Sequence, residues 1–183
     1  GCGNGYSVRW AAGVDPSVQA VGLDTAEGMI RHARALSSQW SNCRFIHAPF
    51  PCPELRTGAF DSIFTMEVLY YMDDVPSALE SIRSLLKPGG KVVSIIDYYE
   101  ENPHSFGWPE DVGLAMQLHS IEGWRSLFEA AGLRVLQQEQ LKHPLPEGQA
   151  PNWQHSIGSL MTLAIRDWAL SLQSSVLGDQ FVF

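Results

Sequence analysis

The segment Gly1-Cys2-Gly3-Asn4-Gly5, together with Asp24 19 residues beyond Gly5, decides the predicted fold. Because glycine has no Cβ atom, glycines at alternate positions permit a tight turn and a close approach of the backbone to a ligand. The apolar residues Gln19–Leu23 predict a buried strand that ends at Asp24, and Thr25–Ser38 has the apolar spacing of a helix. A glycine turn beside an acid at a strand end is typical of a nucleotide-binding α/β sheet.

The glycine spacing restricts the kind of nucleotide. The dinucleotide fingerprint G-x-G-x-x-G has its third glycine one residue later, where this chain has Tyr6. The loop carries no Lys or Arg, and the Gly-Lys-Ser/Thr of a P-loop is missing from it. These features disfavour a phosphate-bearing cofactor. The Asp24 carboxylate can accept hydrogen bonds from both hydroxyls of a ribose, and it can also cap the helix that begins at Thr25.

The rest of the chain alternates strand-like and helix-like segments, which predicts a mostly parallel, doubly wound α/β sheet of Rossmann-like type. Lys87-Pro88-Gly89-Gly90 is a strong break signal between a helix and the strand after it. The further predicted strands are Asn42–His47, Asp61–Met66 and Lys91–Ile96, and the further helices are Ser7–Ala12, Pro76–Leu86 and Ile121–Ala131.

The second half of the chain has a different pattern. Residues 97–119 are aromatic and polar, with Pro103 and Pro109, and this predicts a lid or substrate segment. Leu133–Leu141 and Ser156–Ile165 predict two final strands that form an antiparallel hairpin. We therefore expect a single domain over residues 1–165 and a C-terminal tail over residues 166–183.

The chain starts on the first glycine of the loop. A nucleotide loop follows a strand, because the strand end aims the backbone at the ligand. We therefore expect that a first strand belongs in front of Gly1 and is missing from this chain.

Composition argues against several functional classes. The chain has 183 residues, of which 45% are hydrophobic and 17% charged, as in an ordinary globular domain. Its net charge of −8 disfavours nucleic acid as a partner, and it has no apolar run of about 18 residues that would predict a membrane span. Cys2, Cys43 and Cys52 form no C-x-x-C pair, which predicts reduced thiols in a cytoplasmic protein and no metal site.

Four motifs, in this order and spacing, resemble those of class I S-adenosylmethionine-dependent methyltransferases. The resemblance is strongest to the small-molecule branch typified by the ubiquinone/menaquinone-biosynthesis methyltransferases, and it covers residues 1 to about 97. The motifs are Gly1-Cys2-Gly3-Asn4-Gly5, Val21-Gly22-Leu23-Asp24, Phe60-Asp61-Ser62-Ile63 and Leu86-Lys87-Pro88-Gly89-Gly90-Lys91.

The resemblance implies S-adenosylmethionine as the cofactor and a set of residues around it. The backbone of Gly1, Gly3 and Gly5 would face the methionine and ribose portions, Asp24 would bind the ribose diol, and Met29 would lie near the adenine. Met66 and Glu67, at the end of a strand, would lie beside the methionine moiety. Ordinary core packing is the alternative for Met29 and Met66, and a solvated strand end is the alternative for Glu67.

One departure from the family concerns adenine recognition. The family has an acid after its third strand, where this chain has Ala48-Pro49-Phe50, so the contact would depend on the Phe50 backbone N–H and on apolar contact. At the following strand, Met66-Glu67-Val68-Leu69 stands in place of the Asn/Asp-Pro-Pro-Tyr/Phe of enzymes that methylate nucleobase or glutamine amino groups. This favours a small-molecule acceptor that is methylated by in-line displacement.

Residues that could assist the transfer are few. His104 and His119, which flank Trp108 in the predicted lid, are candidate bases, and Tyr71 is a further candidate because aromatic rings favour a cationic sulfur. Two other functions stay open from the sequence. They are a non-catalytic binding module with a degenerate methyltransferase fold, and a nicotinamide oxidoreductase, which the early third glycine disfavours.

Overall fold

The computed structural model of the chain describes residues 1–140 and 180–182. The chain divides into two compact units, residues 1–135 with 178–183 and residues 136–177. The described residues of the second unit, 136–140, contain no helix or strand. The fold and the candidate site therefore belong to the first unit.

The first unit alternates helices and strands along the chain, as expected. Its strands are β1 (Gln19–Asp24), β2 (Cys43–His47), β3 (Phe60–Met66), β4 (Leu86–Ile95) and β5 (Gln180–Val182). Its helices are α1 (Tyr6–Ala12), α2 (Glu27–Leu36), α3 (Val75–Leu85), α4 (Trp108–Val112) and α5 (Ile121–Ala130), with 3₁₀ turns at Leu69–Tyr71 and Pro103–Ser105.

All strand pairs of the sheet are parallel, in the order β2-β1-β5-β3-β4. The pairing of β1 with β2 ends where Asp24 lies opposite His47, and that of β3 with β4 ends where Met66 lies opposite Ile95. The carboxyl ends of these strands therefore share one edge of the sheet, which is where α/β sheets bind ligands. The predicted α/β class is confirmed.

The start of β4 differs from the prediction. We expected Lys87-Pro88-Gly89-Gly90 to end a helix before a strand over Lys91–Ile96, but β4 already begins at Leu86. Leu86 pairs with Phe60 and Lys91 with Ser62, so the register shifts between these pairs. The extra residues form an irregularity within the strand, where Gly89 has a φ of +80°.

The predicted C-terminal arrangement also differs. Residues 133–140 form no strand, so the first half of the expected antiparallel hairpin is wrong over these residues. The other predicted strand, Ser156–Ile165, lies outside the described residues. Within the expected tail, Gln180–Val182 forms β5, which pairs in parallel with β1 and β3 and so lies at the centre of the sheet.

Helices cover the sheet through apolar side chains. Helices α1 and α2 pack on β1 and β2, and α3 packs on β4 and α5. Asp74 caps α3 by accepting the Ser77 N–H (3.0 Å), and Ser120 caps α5 by accepting the Gly123 N–H (3.0 Å). The fully buried side chains Ile30, Ile63, Leu69, Tyr70, Leu79 and Ile82 belong to this core.

The glycine turn is held close to the sheet at Gly5. Its φ is +76°, and a Cβ placed there would lie 2.6 Å from Phe45 Cε1 on β2. Only glycine meets both conditions without strain. Gly5 is also the residue that precedes α1, so this contact fixes where the first helix begins.

We expect Gly5→Ala to lower the free energy of unfolding by about 2–5 kcal/mol, because a left-handed alanine costs about 1–2 kcal/mol and overpacking costs about 1–3 kcal/mol. Gly58→Ala is the matched control, since Gly58 has a φ of +63° but no atom within 4 Å of the added Cβ. It should lose only the conformational part. Urea titrations of both variants measure this, and equal losses would contradict the packing argument.

Candidate functional site

The turn Gly1–Gly5 lies over the end of β1 through backbone hydrogen bonds. The Cys2 N–H donates to the Leu23 carbonyl (2.9 Å), and the Gly5 N–H donates to the Cys2 carbonyl (3.0 Å). A Cβ on Gly1 would lie within 2.4 Å of Val68 Cγ2, so the turn also touches the segment that follows β3. The turn thus connects the ends of two strands.

The Asp24 carboxylate points into this turn. Its Oδ2 accepts the Gly3 N–H (2.8 Å), and its Oδ1 accepts the Ala26 N–H at the start of α2 (2.8 Å). The residue is 8% exposed. Both expected functions of Asp24, at the loop and at the helix start, are therefore compatible in geometry. Each carboxylate oxygen keeps acceptor capacity for a ligand, because it carries two lone pairs.

Space remains open beside Gly3. Its φ is +53°, and no atom lies within 4 Å of the position that a Cβ would take. The turn is therefore not filled by side chains at the residue whose N–H meets Asp24. This is the geometry that a ligand cradle requires.

Arg9 fastens the turn to the far end of α2. Its guanidinium Nη1 donates to the Asn4 carbonyl (2.7 Å) and to Ser37 Oγ (3.2 Å). Sequence analysis did not single out Arg9. The sequence does place an arginine four residues after the last glycine, one helical turn into α1, and this spacing could have indicated a contact with the turn.

The segment after β2 borders the same edge. The Ala48 N–H donates to the Asp24 carbonyl (3.1 Å), and the partly buried Phe50 side chain packs against the core. Met29 on α2 is 47% exposed, and Tyr6 beside the turn is 43% exposed. Met29 is therefore not buried in the core, and its contact with the adenine stays a prediction.

Glu67, just after β3, has an unusual environment. Its φ is +55°, a rare value for a residue with a Cβ, and its N–H donates to the Ile95 carbonyl at the end of β4 (3.0 Å). Its Oε2 accepts the Tyr70 hydroxyl (2.6 Å), while its buried Oε1 accepts no hydrogen bond from any described residue. The solvated alternative for Glu67 is wrong.

Burial controls the charge of this region. It raises the pKa of Glu67 to about 7, against the opposing effect of the Tyr70 hydroxyl, and the Asp97 carboxyl raises it further. Burial also raises the pKa of Asp97 and, with the nearby Glu67, that of the Tyr70 phenol. We call Glu67, Tyr70 and Asp97 the acid–tyrosine cluster.

The other residues of this edge organise the cluster. Asn102 Nδ2 donates to the Asp97 carbonyl (2.7 Å) and to Asp97 Oδ1 (3.0 Å), which orients that side chain. The Tyr70 ring lies 4.6 Å from that of Tyr71 and 5.6 Å from that of Tyr98, measured between centroids. Of these tyrosines, only Tyr71 was a predicted site residue, and the Glu67–Tyr70 hydrogen bond was not predicted.

Comparison with known proteins agrees with this geometry. A model of the family described as "Methyltransferase domain" matches residues 1–94 of the 183 residues. The chain belongs to this family. This confirms the predicted family, the class I S-adenosylmethionine-dependent methyltransferases, and S-adenosylmethionine as its cofactor. Similar solved structures confirm the predicted fold.

Individual relatives cover more of this methyltransferase-family chain. The O-methyltransferase resE of Aspergillus sclerotiorum is 27% identical over 150 residues, which are 75% of this chain and 54% of the relative. The malonyl-[acyl-carrier protein] O-methyltransferase of Erwinia pyrifoliae is 28% identical over 138 residues, 74% of this chain and 50% of the relative. The chain thus spans about half the length of these curated relatives.

A solved structure extends the likeness. The putative methyltransferase in a complex with the Haloferax volcanii Trm112 methyltransferase activator superimposes with a TM-score of 0.76 at 31% identity. The match covers 82% of this chain and 66% of that chain. It therefore supports the methyltransferase fold well beyond residue 94.

The three candidate catalytic residues of the methyltransferase do not meet in one place. His104 is exposed on the 3₁₀ turn Pro103–Ser105. His119 packs edge-on against Trp124, with ring centroids 5.0 Å apart, and its carbonyl accepts the Glu100 N–H. Tyr71 is 38% exposed and lies beside Tyr70 of the acid–tyrosine cluster.

Two searches of the described residues concern other kinds of site. Residues 1–140 and 180–182 contain no group of three or more His, Cys, Asp or Glu side chains placed to hold a metal ion. Within the same part of the chain, no helix has the length and apolar character needed to cross a membrane.

The raised pKa of Glu67 predicts a pH-dependent stability. A carboxyl with a pKa near 4.5 in the unfolded chain and about 7 in the fold contributes stability below pH 4.5 that is lost as pH rises through 7. Between pH 5 and pH 8 the wild type should therefore lose about 1–3 kcal/mol more than Glu67→Gln. Urea titrations at the two pH values measure this, with exposed Glu80→Gln as control. The same pH dependence in wild type and Glu67→Gln would contradict the assignment.

Proposed function

We propose that the chain transfers a methyl group from S-adenosylmethionine to a small-molecule acceptor. The observation that carries the proposal is the Asp24 carboxylate, which accepts the Gly3 N–H across an open turn. The net charge of −8 and the sequence Met66-Glu67-Val68-Leu69 after β3 support a small acceptor rather than a nucleic acid.

The residues present fit the cofactor. The open space at Gly3 would admit a ribose beside the backbone, and the Asp24 oxygens have lone pairs left for its hydroxyls. The exposed Met29 would offer apolar surface to the adenine, and the Phe50 backbone N–H would donate a hydrogen bond to it. The turn residues Gly1 and Gly5 and the strand end at Met66 and Glu67 would enclose the methionine portion.

Methyl transfer from an activated donor requires little chemical assistance from the protein. When bound, S-adenosylmethionine supplies a methyl group that its sulfonium already activates. The chain has to place a nucleophile in line with that methyl group and keep water away. In our proposal the partly buried carboxyl end of β3 does this, and the exposed His104 and the Trp124-packed His119 take no direct part.

Asp24→Ala should weaken the binding of S-adenosylhomocysteine by about 1.5–3 kcal/mol, the range for hydrogen bonds to a charged group. Isothermal titration calorimetry measures the affinity. Asp15→Ala is the matched control, because the exposed Asp15 also accepts a backbone N–H two residues ahead, from Ser17 (2.9 Å), but lies away from the turn. Unchanged affinity in Asp24→Ala would reduce Asp24 to a helix cap.

Gly3→Ala should fill the space beside the turn and lower the affinity for S-adenosylhomocysteine about 5- to 150-fold, since one methyl group in a ligand site is an overpacking cost of about 1–3 kcal/mol. Gly58→Ala carries the same left-handed strain outside the site and should bind normally. Normal binding by both variants would show that the ligand does not approach Gly3.

Turnover distinguishes the proposal from a non-catalytic binding module. Incubation with S-adenosylmethionine and a panel of small hydroxyl, amine and carboxylate compounds should release S-adenosylhomocysteine in the presence of one class only. Binding without release for any acceptor class would favour the binding module. The early third glycine predicts that NADH does not bind, which a fluorescence titration checks.

A further inference from the structure

The acid–tyrosine cluster holds more negative charge than its surroundings neutralise. Among the described residues, the ion pairs between side chains join Arg44 with Glu54, Lys87 with Asp61, and Arg125 with Glu129. None of these pairs involves Glu67 or Asp97. The Asp97 carboxyl acts on that of Glu67, and the neighbours bonded to the two side chains are neutral: the Tyr70 hydroxyl on Glu67 and the Asn102 amide on Asp97.

The two oxygens of Glu67 differ. Oε2 accepts a short hydrogen bond from the Tyr70 hydroxyl, and Tyr70 is itself buried. Oε1 is buried and accepts no well-aligned hydrogen bond from the described residues, although the Asp97 backbone N–H lies close enough to act on the carboxyl group. A buried acceptor without a donor costs about 1–3 kcal/mol, and such atoms are rare in native proteins unless a ligand or water meets them.

The backbone holds Glu67 in this arrangement. A glutamate with a φ of +55° is strained, and the hydrogen bonds of its N–H to Ile95 and of its side chain to Tyr70 hold it there. The neighbouring Val68 touches Gly1 of the turn. Glu67 is therefore next to the place where, in the proposed function, the methionine portion and the transferred methyl group lie.

We propose that Glu67 Oε1 receives the proton of the acceptor's nucleophile, so that the acceptor presents an N–H or O–H group to the methyl donor. This inference rests on the proposed function. It names the acceptor class by chemistry: an amine or a hydroxyl compound, in which loss of a proton accompanies methylation. An acceptor whose nucleophilic atom carries no proton, such as a thioether or a tertiary amine, would leave Oε1 without a partner.

The proposed step balances. A lone pair on the acceptor's nitrogen or oxygen forms the new bond to the methyl carbon, and the electron pair of the broken C–S bond returns to sulfur, which loses its positive charge. The proton leaves the nucleophile for Oε1, so Glu67 changes from carboxylate to carboxylic acid. Tyr70 is a positioning residue, because its hydroxyl orients the carboxylate through Oε2.

The groups around Glu67 suit this function. Burial and the Asp97 carboxyl raise its pKa to about 7, and the Tyr70 hydroxyl and the Asp97 backbone N–H oppose the rise. Tyr71 and Tyr98 place their rings next to that of Tyr70, and the Tyr71 hydroxyl also acts on the Tyr70 phenol. A base with a pKa near the working pH is both ionised in part and able to hold a proton.

The test uses two cofactor analogues as probes and needs no known acceptor. S-adenosylhomocysteine has a neutral sulfur without a methyl group, whereas sinefungin carries an amine-bearing carbon at that position, which presents N–H donors toward the nucleophile's place. Calorimetry of both probes with the full chain between pH 6 and pH 8 gives their affinity ratio. The variants are Glu67→Gln and Tyr70→Phe, with the exposed Glu80→Gln as charge-matched control.

We expect wild type and Glu80→Gln to favour sinefungin increasingly as pH rises, by up to about tenfold from pH 6 to pH 8 for a carboxyl with a pKa of about 7. Glu67→Gln should lose this pH dependence, and at pH 8 its affinity for sinefungin should fall about tenfold or more relative to its affinity for S-adenosylhomocysteine. Tyr70→Phe should move the midpoint to higher pH, because the ionised carboxylate loses a donor.

Three outcomes would overturn the inference. Equal loss of both probes in Glu67→Gln would make Glu67 a contact of the methionine portion only. If the preference for sinefungin changes neither with pH nor in Glu67→Gln, Oε1 takes no part in the reaction. The proposed cofactor site would still stand in that case. Failure of wild type to bind S-adenosylhomocysteine would refute the proposed function itself, and this inference with it.

Discussion

The site depends on one carboxylate. Asp24 accepts a backbone N–H from the glycine turn and another from the start of α2, while its own backbone belongs to the end of β1 and receives the Ala48 N–H. Hydrogen bonds from N–H groups to an ionised acceptor are stronger than those between neutral groups. A single buried side chain therefore fixes the relative positions of the turn, two strand ends and a helix.

Close packing around three glycines keeps the turn in place against the sheet. Gly5 lies against Phe45, Gly1 lies against Val68, and Gly22 in the middle of β1 leaves room for Cys2, Val8 and Phe45. A side chain at any of these positions would push the turn away from the sheet. The open space at Gly3 is thus bounded by tightly packed glycines on both sides, which lets a ligand approach the backbone there without loosening the core.

The sequence predicted those parts of the fold whose signals are local. Helix α2 and strand β1 have clear apolar periodicity, and the acid at the end of β1 and the turn motif identify the edge of the sheet where ligands bind. Strand β5 could not be predicted, because three residues show no period and its partners β1 and β3 are distant in the chain. Helix α3 ends at Leu85, just before the break signal at Lys87–Gly90, but the start of the following strand was misplaced because Leu86 already pairs with Phe60. The candidate site was predicted through its glycines and Asp24, whereas the Glu67–Tyr70 hydrogen bond depends on a positive φ that glutamate does not signal.

The most direct measurement of the central claim is a crystal structure of the chain with S-adenosylhomocysteine. The account predicts the ribose hydroxyls within hydrogen-bonding distance of the Asp24 carboxylate and the ribose against the Gly3 backbone, with the Gly3 N–H still bound to Asp24. A nucleoside bound elsewhere, or an Asp24 side chain turned away from the glycine turn, would contradict it.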